Sequence, residues 1–490
     1  MRLSEVVDDT GMTRTGEITV EITGLTSDSR LVEPGHLFAA LPGSSTDGSR
    51  FIADAAERGA VAVLAEPAAA EACAAAGLPL VADVEPRRRY AYAAARFFAP
   101  QPRIVAAVTG TNGKTSVVAF LRQIWERLGE PAASLGTLGV RAPGFDSGPS
   151  LTTPEPAALH ATLQALAKAG IEHVALEASS HGLAQHRCDG VVLSAAAFTN
   201  LSRDHLDYHG DEDSYMAAKA RLFGEVLPAG GCAVVNTDDA HGRTLAVQCR
   251  ERGQRLLSFG TAPADLALSN RRALAAGQCF DVSFDRHQYA IETALLGNFQ
   301  AGNLLCAAAL AIACGDDPAA VFAALPAVTG APGRLQTVAR DASGGPVVVD
   351  YAHTPDALRA ALGALRPHVA GRLHLVFGCG GDRDAGKRPM MGAIAAEGAD
   401  TVIVTDDNPR GEDAAAIRNA VLAACPGGRD IGNRADAIET AIADMAAGDA
   451  VLIAGKGHER MQIVGDGQLP FDDAEVARQA MLGRGGEALP

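Results

Sequence analysis

Residues 108–116 of the 490-residue chain read VTGTNGKTS. Glycines at 110 and 113 bracket a tight loop, and Lys114 and Thr115 open the helical pattern SVVAFLRQIWERL. Such a loop, between a strand and a helix start, binds phosphate through backbone N–H groups and the helix N-terminus. The lysine adds charge and the threonine hydroxyl reaches a magnesium ion. Gly110, Thr111, Asn112, Gly113, Lys114, Thr115 and Ser116 are therefore assigned to a nucleoside triphosphate. The pattern G-x-x-x-x-G-K-[ST] asks for glycine where this chain has Val108, so the match misses by one position. A plain strand-to-helix turn with an exposed lysine is the competing reading. NTDD at 236–239 is a poor substitute for a guanine-reading N-K-x-D, and no kinase catalytic loop is present.

A second group of candidates follows. The apolar run HVALEASSHGL at 173–183 delivers Glu177 at the end of a strand, where a carboxylate can hold magnesium beside the loop. FTNLSRDHLDYHG at 198–210 packs Asp204, His205, Asp207 and His209 into a short loop, a candidate second cation site. SYMAAKARLF carries Lys219 in an alanine-rich helical stretch, where a lysine is ordinarily solvated.

Several elements must position these residues. With 48% hydrophobic content the chain can bury more than one core, and three domains are the natural division. The first hundred residues alternate short β-rich runs (ITVEITGLTSDS, GHLFAAL, AVAVLAE) with a helical pattern at FIADAAERGA, which reads as a small α/β domain. Prolines in FFAPQPRIV and the glycine-proline cluster in AVTGAPGRLQ mark two boundaries. Beyond the second, PVVVD, LHLVF, TVIVT and AVLIA each run into a polar or glycine-rich loop and then a helical segment, which predicts a parallel sheet. Ligands of such sheets gather beyond the carboxyl ends of the strands.

Bulk composition excludes other classes. Lys plus Arg total 42 against 58 Asp plus Glu, so no nucleic-acid partner is expected. The start MRLSEVVDDT lacks the features of a secretion signal, and LLCAAALAIAC at 304–314 is too short to span a membrane, so no membrane insertion is expected. Nine scattered cysteines without C-x-x-C fit a reducing cytoplasm.

In order along the chain, GTNGKTS, TTPEP, LEASSHGLAQHR, NLSRDHLDYHG and YMAAKARLF resemble the Mur ligases, the ATP-dependent amide-forming enzymes of peptidoglycan assembly. The resemblance extends over the whole chain. It implies an α/β fold of three domains: a small UDP-binding α/β domain at 1–101, a central ATP-binding P-loop NTPase-like domain with a mostly parallel sheet at 102–332, and a Rossmann-like amino-acid-binding domain at 333–490. It also implies ATP and two Mg2+ ions, with Thr115 and Glu177 on the first ion. His205 would hold the second beside Lys219, which the family carries as a carbamate. Lys114, Lys219 and His205 would then be the catalytic residues. Thr152, Thr153, Ser179, Gln185 and Arg187 match positions that hold the sugar-nucleotide substrate. In the first domain GLTSDSR at 24–30 and PGSSTDG at 42–48 resemble the uridine-diphosphate loops, with Ser29 carried over most directly, although both stretches also read as turns. Asn303 in LLGNFQAGNLLCAAA would face adenine, a helix cap being the alternative. His353 in VVVDYAHTPDAL and Arg334 in GAPGRLQ would lie near the nucleotide.

The last domain should select the incoming amine. Its loops GGDRDAGKRPMMG, TDDNPRGED and AGKGHER hold Arg383, Asp407, Asn408, Pro409, Arg410, Gly455 and Glu459, which match the positions that grip meso-diaminopimelate in those family members that add it to a UDP-linked muramoyl dipeptide. A guanidinium at Arg410 can take the distal carboxylate of diaminopimelate through two parallel hydrogen bonds, whereas L-lysine would leave it opposite a cation. Asn408 and Glu459 are then expected on the distal ammonium. DDNPR also reads as a polar turn. The resemblance implies a monomeric cytoplasmic enzyme. Rival readings are the same ligase using L-lysine, a folylpolyglutamate synthetase, a P-loop ATPase that drives a partner, and a sugar-nucleotide-binding regulator that has lost catalysis.

Overall fold

A computed structural model describes residues 1–7, 13–15, 19–43, 46–148, 150–261 and 263–489, with the side chains of 13–15 excepted. Its contacts divide the chain into two compact units, Met1–Lys114 with Gly129–Leu257 and Thr115–Leu128 with Ser258–Pro490. Parallel-rich sheets occupy three regions of the chain.

The first unit begins with a small sheet in the order Thr13–Thr15, Leu80–Ala82, Ala62–Ala65, His36–Ala40, Gly24–Thr26, in which only Thr13–Thr15 runs antiparallel. The described residues 19–29 of the run ITVEITGLTSDS yield less strand than their β-branched content predicts: Gly24–Thr26 and one isolated bridge, Glu21 to Arg2. Pairing stops where Asp28 turns the chain by accepting Arg30 N–H at 3.0 Å. The helical pattern at FIADAAERGA forms Ile52–Glu57, with Ile52 and Ala55 buried.

Strands Cys232–Asn236, Ala195–Phe198, Ile104–Thr109, His173–Glu177 and Ala132–Gly136 then lie side by side, all parallel, followed by the antiparallel pair Gly139–Ala142 and Phe145–Asp146. Continuous apolar runs suit strands covered on both faces. Val105, Ala107, Leu135, Val174, Leu176 and Phe198 are fully buried against Leu159, Leu163 and Leu166 of the helix Pro156–Lys168. Register places Glu177 opposite Val108 and Phe198 opposite Thr109, so the strand ends beside the glycine loop are Glu177 and Phe198.

In the second unit, strands Leu266–Leu274, Gly277–Phe284 and His287–Thr293 form an antiparallel meander. The apolar run at 304–314 lies within the helix Asn298–Cys314, nearly all buried. The last sheet is ordered Arg429–Asp430, Thr401–Val404, Leu373–Phe377, Ala450–Ala454, Pro346–Asp350, Gln336–Arg340, Glu487–Ala488, and its first five strands are parallel. Alternation along the strands serves two cores: Val348 and Leu452 face the helices Pro355–Leu365 and Lys387–Gly398, while Val347, Val349, Val451 and Ile453 face Arg434–Ala443 and Asp473–Gly483. Among the described residues no helix is long and apolar enough to cross a membrane.

Candidate active site

The phosphate loop is shaped by what surrounds it. Gly110 has φ +148°, and a Cβ there would lie 1.9 Å from Thr199 Oγ1, so only glycine fits. The segment after strand Ala195–Phe198 pins the loop from one side. Thr199 Oγ1 donates to Asn112 O at 2.7 Å, Asn200 Oδ1 accepts Asn112 N–H at 3.0 Å, and Thr111 N–H donates to Asn200 O at 2.8 Å. Ser202 N–H donates to Thr111 Oγ1 at 3.0 Å. Gly113 is followed directly by the helix Lys114–Arg127, in which Thr115 and Ser116 are buried.

Two lysines converge on one oxygen. Lys114 Nζ donates to Gly110 O at 2.8 Å and Thr111 O at 2.9 Å, and Lys219 Nζ donates to Gly110 O at 2.9 Å. Lys219 is not the solvated residue that its alanine-rich stretch predicts. It is 1% exposed, and its amine sits 4.2 Å from the centroid of the Tyr215 ring. Burial, and next the charge of Lys114, pull its pKa down to about 6, so the amine is neutral at physiological pH. Tyr215 in turn pairs its hydroxyl with Thr111 Oγ1 at 3.2 Å.

Glu177 is 1% exposed and faces the start of a loop: its carboxylate accepts Thr137 N–H at 2.9 Å and the Thr137 hydroxyl at 3.3 Å. Behind it stand the residues expected on the sugar nucleotide. Thr153 Oγ1 donates to Glu177 O at 2.9 Å and lies 3.1 Å from Ser179 Oγ, while Thr152 Oγ1 lies 3.0 Å from Thr137 Oγ1. Arg187 donates to Thr153 O at 2.9 Å and Gln185 Oε1 at 2.7 Å, and pairs with Glu155 at 2.8 Å. Thr152, Thr153, Ser179, Gln185 and Arg187 line one cavity of about 290 Å3 together with Lys114, His205 and Lys219.

The expected loop at 198–210 contains a helical turn, Leu206–His209, which follows His205 in a left-handed conformation at φ +54°. The turn gathers rings: His181 lies 4.8 Å from His205, 4.1 Å from Tyr208 and 5.4 Å from His209, centroid to centroid. Burial, and then the neighbouring His205 and His209, hold His181 below its ordinary pKa. Asp204 Oδ2 is 3.5 Å from His205 Nε2. Among the described residues no three His, Cys, Asp or Glu side chains form a ready cage. Magnesium, which keeps waters and substrate phosphates and needs only one or two carboxylates, asks for no such cage.

Other assigned residues lie in the second unit. Asn303 is not a cap; it sits inside Asn298–Cys314, where its Nδ2 donates to Gln300 Oε1 at 2.9 Å, and Gln300 donates to Arg334 O at 3.0 Å. The Arg334 guanidinium stacks 4.8 Å over the Tyr351 ring, and His353 is exposed with Nδ1 2.9 Å from Tyr351 O. The DNPR loop is mostly buried. Asp407, Asn408 and Pro409 are covered, and Arg410, at φ +51°, donates from Nη1 to Gly381 O at 2.9 Å. Asn408 Nδ2 donates to Glu459 Oε2 at 2.9 Å, and a Cβ on Gly455 would lie 2.9 Å from Asp407 Oδ2. Arg383 is exposed. In the first unit Ser29 opens the single turn Ser29–Leu31, half-buried; of the 42–48 loop, residues 44 and 45 lie outside the described residues.

Three family profiles match in succession: "Mur ligase family, catalytic domain" over 21–98, "Mur ligase middle domain" over 108–311 and "Mur ligase, glutamate ligase domain" over 333–457. This chain belongs to the Mur ligase family. The ligase is 50% identical over 488 residues to the Bradyrhizobium diazoefficiens protein named "UDP-N-acetylmuramoyl-L-alanyl-D-glutamate--2,6-diaminopimelate ligase", covering 99% of this chain and 100% of that one. It is 51% identical over 468 residues to the Caulobacter vibrioides protein of the same name, covering 94% and 96%. A solved structure titled as such a ligase superposes with TM-score 0.74 at 34% identity, covering 99% of each chain.

Sequence reasoning missed several residues of this Mur ligase that hold the site together: Thr199, Asn200 and Ser202 under the loop, Tyr215 against Lys219, His181 among the rings, and Lys456 beneath the DNPR loop. A signal existed for Tyr215. Tyr215, Ala218 and Leu222 are apolar at helical spacing and buried, and Lys219 falls on the same stripe.

Proposed function

We propose that this Mur ligase joins meso-diaminopimelate to the D-glutamate carboxylate of UDP-N-acetylmuramoyl-L-Ala-D-Glu in the cytoplasm, at the cost of one ATP. Its working divisions are 1–101 for the UDP group, 102–332 for ATP and 333–490 for the amino acid. The observation that carries the reading is the meeting of Lys114 and Lys219 at the Gly110 carbonyl, 2.8 and 2.9 Å away. Burial, and then repulsion from the Lys114 ammonium on the same oxygen, hold Lys219 neutral. A neutral amine can attack carbon dioxide: its lone pair forms the N–C bond, a C=O electron pair moves to oxygen, and an N–H proton leaves to solvent. Lys219 thereby becomes a carbamate.

That change decides whether the residues fit magnesium. An amine is a poor ligand for so hard a cation, whereas a carbamate, Glu177 and the Thr115 hydroxyl all offer oxygen. Thr115 and Glu177 would hold one ion, and His205 with carbamylated Lys219 the other. When bound, the ions would neutralise charge on the phosphoryl group in transfer.

A carboxylate does not react with an amine at neutral pH because its oxygen leaves poorly. Here the substrate carboxylate attacks the γ-phosphorus, the bond to the bridging oxygen breaks, and ADP departs. The resulting acyl phosphate is attacked by the amine of diaminopimelate, and the tetrahedral intermediate expels inorganic phosphate with loss of a proton. Gly110, Thr111, Asn112, Gly113, Lys114, Thr115 and Ser116 would cradle the phosphates, and Asn303, Arg334 and His353 the rest of the nucleotide. Ser29, Thr152, Thr153, Ser179, Gln185 and Arg187 would hold the UDP-linked substrate. Arg383, Asp407, Asn408, Pro409, Arg410, Gly455 and Glu459 would receive diaminopimelate.

The test is phosphate release by the purified chain with ATP and magnesium, with each organic substrate withheld in turn, alongside the mass of the product. Phosphate that requires both substrates and matches tripeptide formed supports the ligase. Phosphate released regardless of either would leave only an ATPase.

A further inference from the structure

The loop AGKGHE was singled out for Gly455 and Glu459, yet its lysine is the more deeply placed residue. Lys456 is 0% exposed, in a position where a long cationic side chain is rarely found unless paired. Its Nζ donates to Met461 O at 2.6 Å, to Asn408 Oδ1 at 3.1 Å and to Glu459 Oε2 at 3.4 Å. Asn408 Oδ1 also accepts Ile463 N–H at 3.0 Å.

These two donors fix the amide. An amide oxygen has two lone pairs, and here both are engaged from within the protein. The Asn408 oxygen therefore points inward, and the NH2 group, donating to Glu459 Oε2 at 2.9 Å, is what remains for a ligand. An NH2 group offers hydrogen bonds to a carboxylate and repels an ammonium. This reverses the part expected of Asn408: with its oxygen committed, Glu459 is left as the acceptor of the pair for a distal ammonium, and Asn408 sides with Arg410.

We infer that Lys456 is a positioning residue for amine selection, which sets the Asn408 amide so that its NH2 faces the distal carboxylate of the incoming amino acid. The inference rests on the diaminopimelate ligase reading. Without the Lys456 ammonium the Asn408 oxygen keeps only the Ile463 N–H, so the amide is held less firmly and turns over more readily, presenting its oxygen to that carboxylate. An oxygen there disfavours diaminopimelate and favours an amino acid that ends in an ammonium alone.

The experiment is steady-state kinetics of the full chain with each substrate varied in turn. Lys456→Met should raise KM for meso-diaminopimelate about ten- to hundredfold, the scale of one misdirected charged hydrogen bond, and lower the preference for diaminopimelate over L-lysine by a similar factor. KM for ATP and for the UDP-dipeptide should stay within about twofold of the parent, a split that general loosening of the fold would not produce. Because Lys456 acts through Asn408, the double variant with Asn408→Ala should be no worse toward diaminopimelate than Asn408→Ala alone. If circular dichroism shows Lys456→Met unfolded, Lys456→Gln carries the test: it keeps N–H donors at shorter reach and should raise KM for diaminopimelate about threefold or more, again selectively. Unchanged amine preference, equal movement of all three KM values, or independent effects of the two substitutions would overturn the inference. Failure of the unmutated chain to use diaminopimelate at all would instead sink the underlying reading.

Discussion

The amine of Lys219 reaches the carbonyl oxygen of Gly110 at 2.9 Å, tying the helix Glu212–Arg221 to the phosphate loop. Since the same oxygen receives Lys114, the state of one amine constrains the other, and the chemistry of the site is written in that shared contact.

Stability should report the proton on Lys219. Folded, this amine titrates near pH 6; in the unfolded chain it holds its proton to about 10.5. Between those values the unfolded chain binds more protons, so the group's contribution to stability rises with pH; below about 6 the folded chain must carry a buried charge. In bicarbonate-free buffer, Lys219→Met should therefore stabilise the chain most near pH 6 and progressively less toward pH 10, read by urea denaturation at each pH. A pH-independent difference would contradict the assignment. With isotope-labelled bicarbonate, the unmutated chain should take up label that Lys219→Met does not.

Gly136→Ala should weaken magnesium use. A Cβ at this position would lie 2.1 Å from Glu177 Oε1, a distance that forces the carboxylate aside. Titration of activity against Mg2+ should show the half-saturating concentration raised about tenfold or more, the loss of one well-placed charged contact, together with a fall in stability of about 1–3 kcal/mol from the crowded Cβ.

Tyr215→Phe keeps the ring over Lys219 and removes only the hydroxyl that meets Thr111 Oγ1 at 3.2 Å. One neutral hydrogen bond corresponds to about 0.5–1.5 kcal/mol, so KM for ATP should rise severalfold with kcat nearly unchanged. Tyr215→Ala, which also uncovers Lys219, should lower kcat.

Arg434 and Asp473 form a bidentate pair, both distances 2.7 Å, with both side chains 0% exposed. Breaking such a pair leaves an uncompensated buried charge, so Arg434→Met should lower stability by about 3–5 kcal/mol, measured by denaturant unfolding. Replacing both partners with apolar residues should recover much of that loss.

The fold was legible in the sequence wherever apolar runs met glycine loops: LHLVF and AVLIA became strands with those same bounds, Leu373–Phe377 and Ala450–Ala454. The first hundred residues were less so, because ITVEITGLTSDS is β-prone throughout yet turns at Asp28 after three strand residues. Candidate site residues carried by a motif, such as Lys114 and Asn408, were easy to name. Those that support them were not. Thr199 and Asn200 act from a neighbouring strand end, and Lys456 lies hidden under a loop noticed for its glycine and glutamate. Such partners are adjacent only after the sheet has formed, and local spacing holds no trace of them. Lys219 is the intermediate case, visible as a lysine on a buried stripe once helical periodicity is applied to its neighbours.

The most direct measurement is kcat/KM of the purified chain for meso-diaminopimelate and for L-lysine, with ATP, Mg2+ and UDP-N-acetylmuramoyl-L-Ala-D-Glu held saturating and the tripeptide product identified by mass. Diaminopimelate should be favoured by at least about ten- to hundredfold, the margin set by a guanidinium left facing a cation, and Arg410→Ala should erase most of that margin. Equal use of both amines by the unmutated chain would contradict the selection assigned to Arg410, and no amide product with either would contradict the ligase itself.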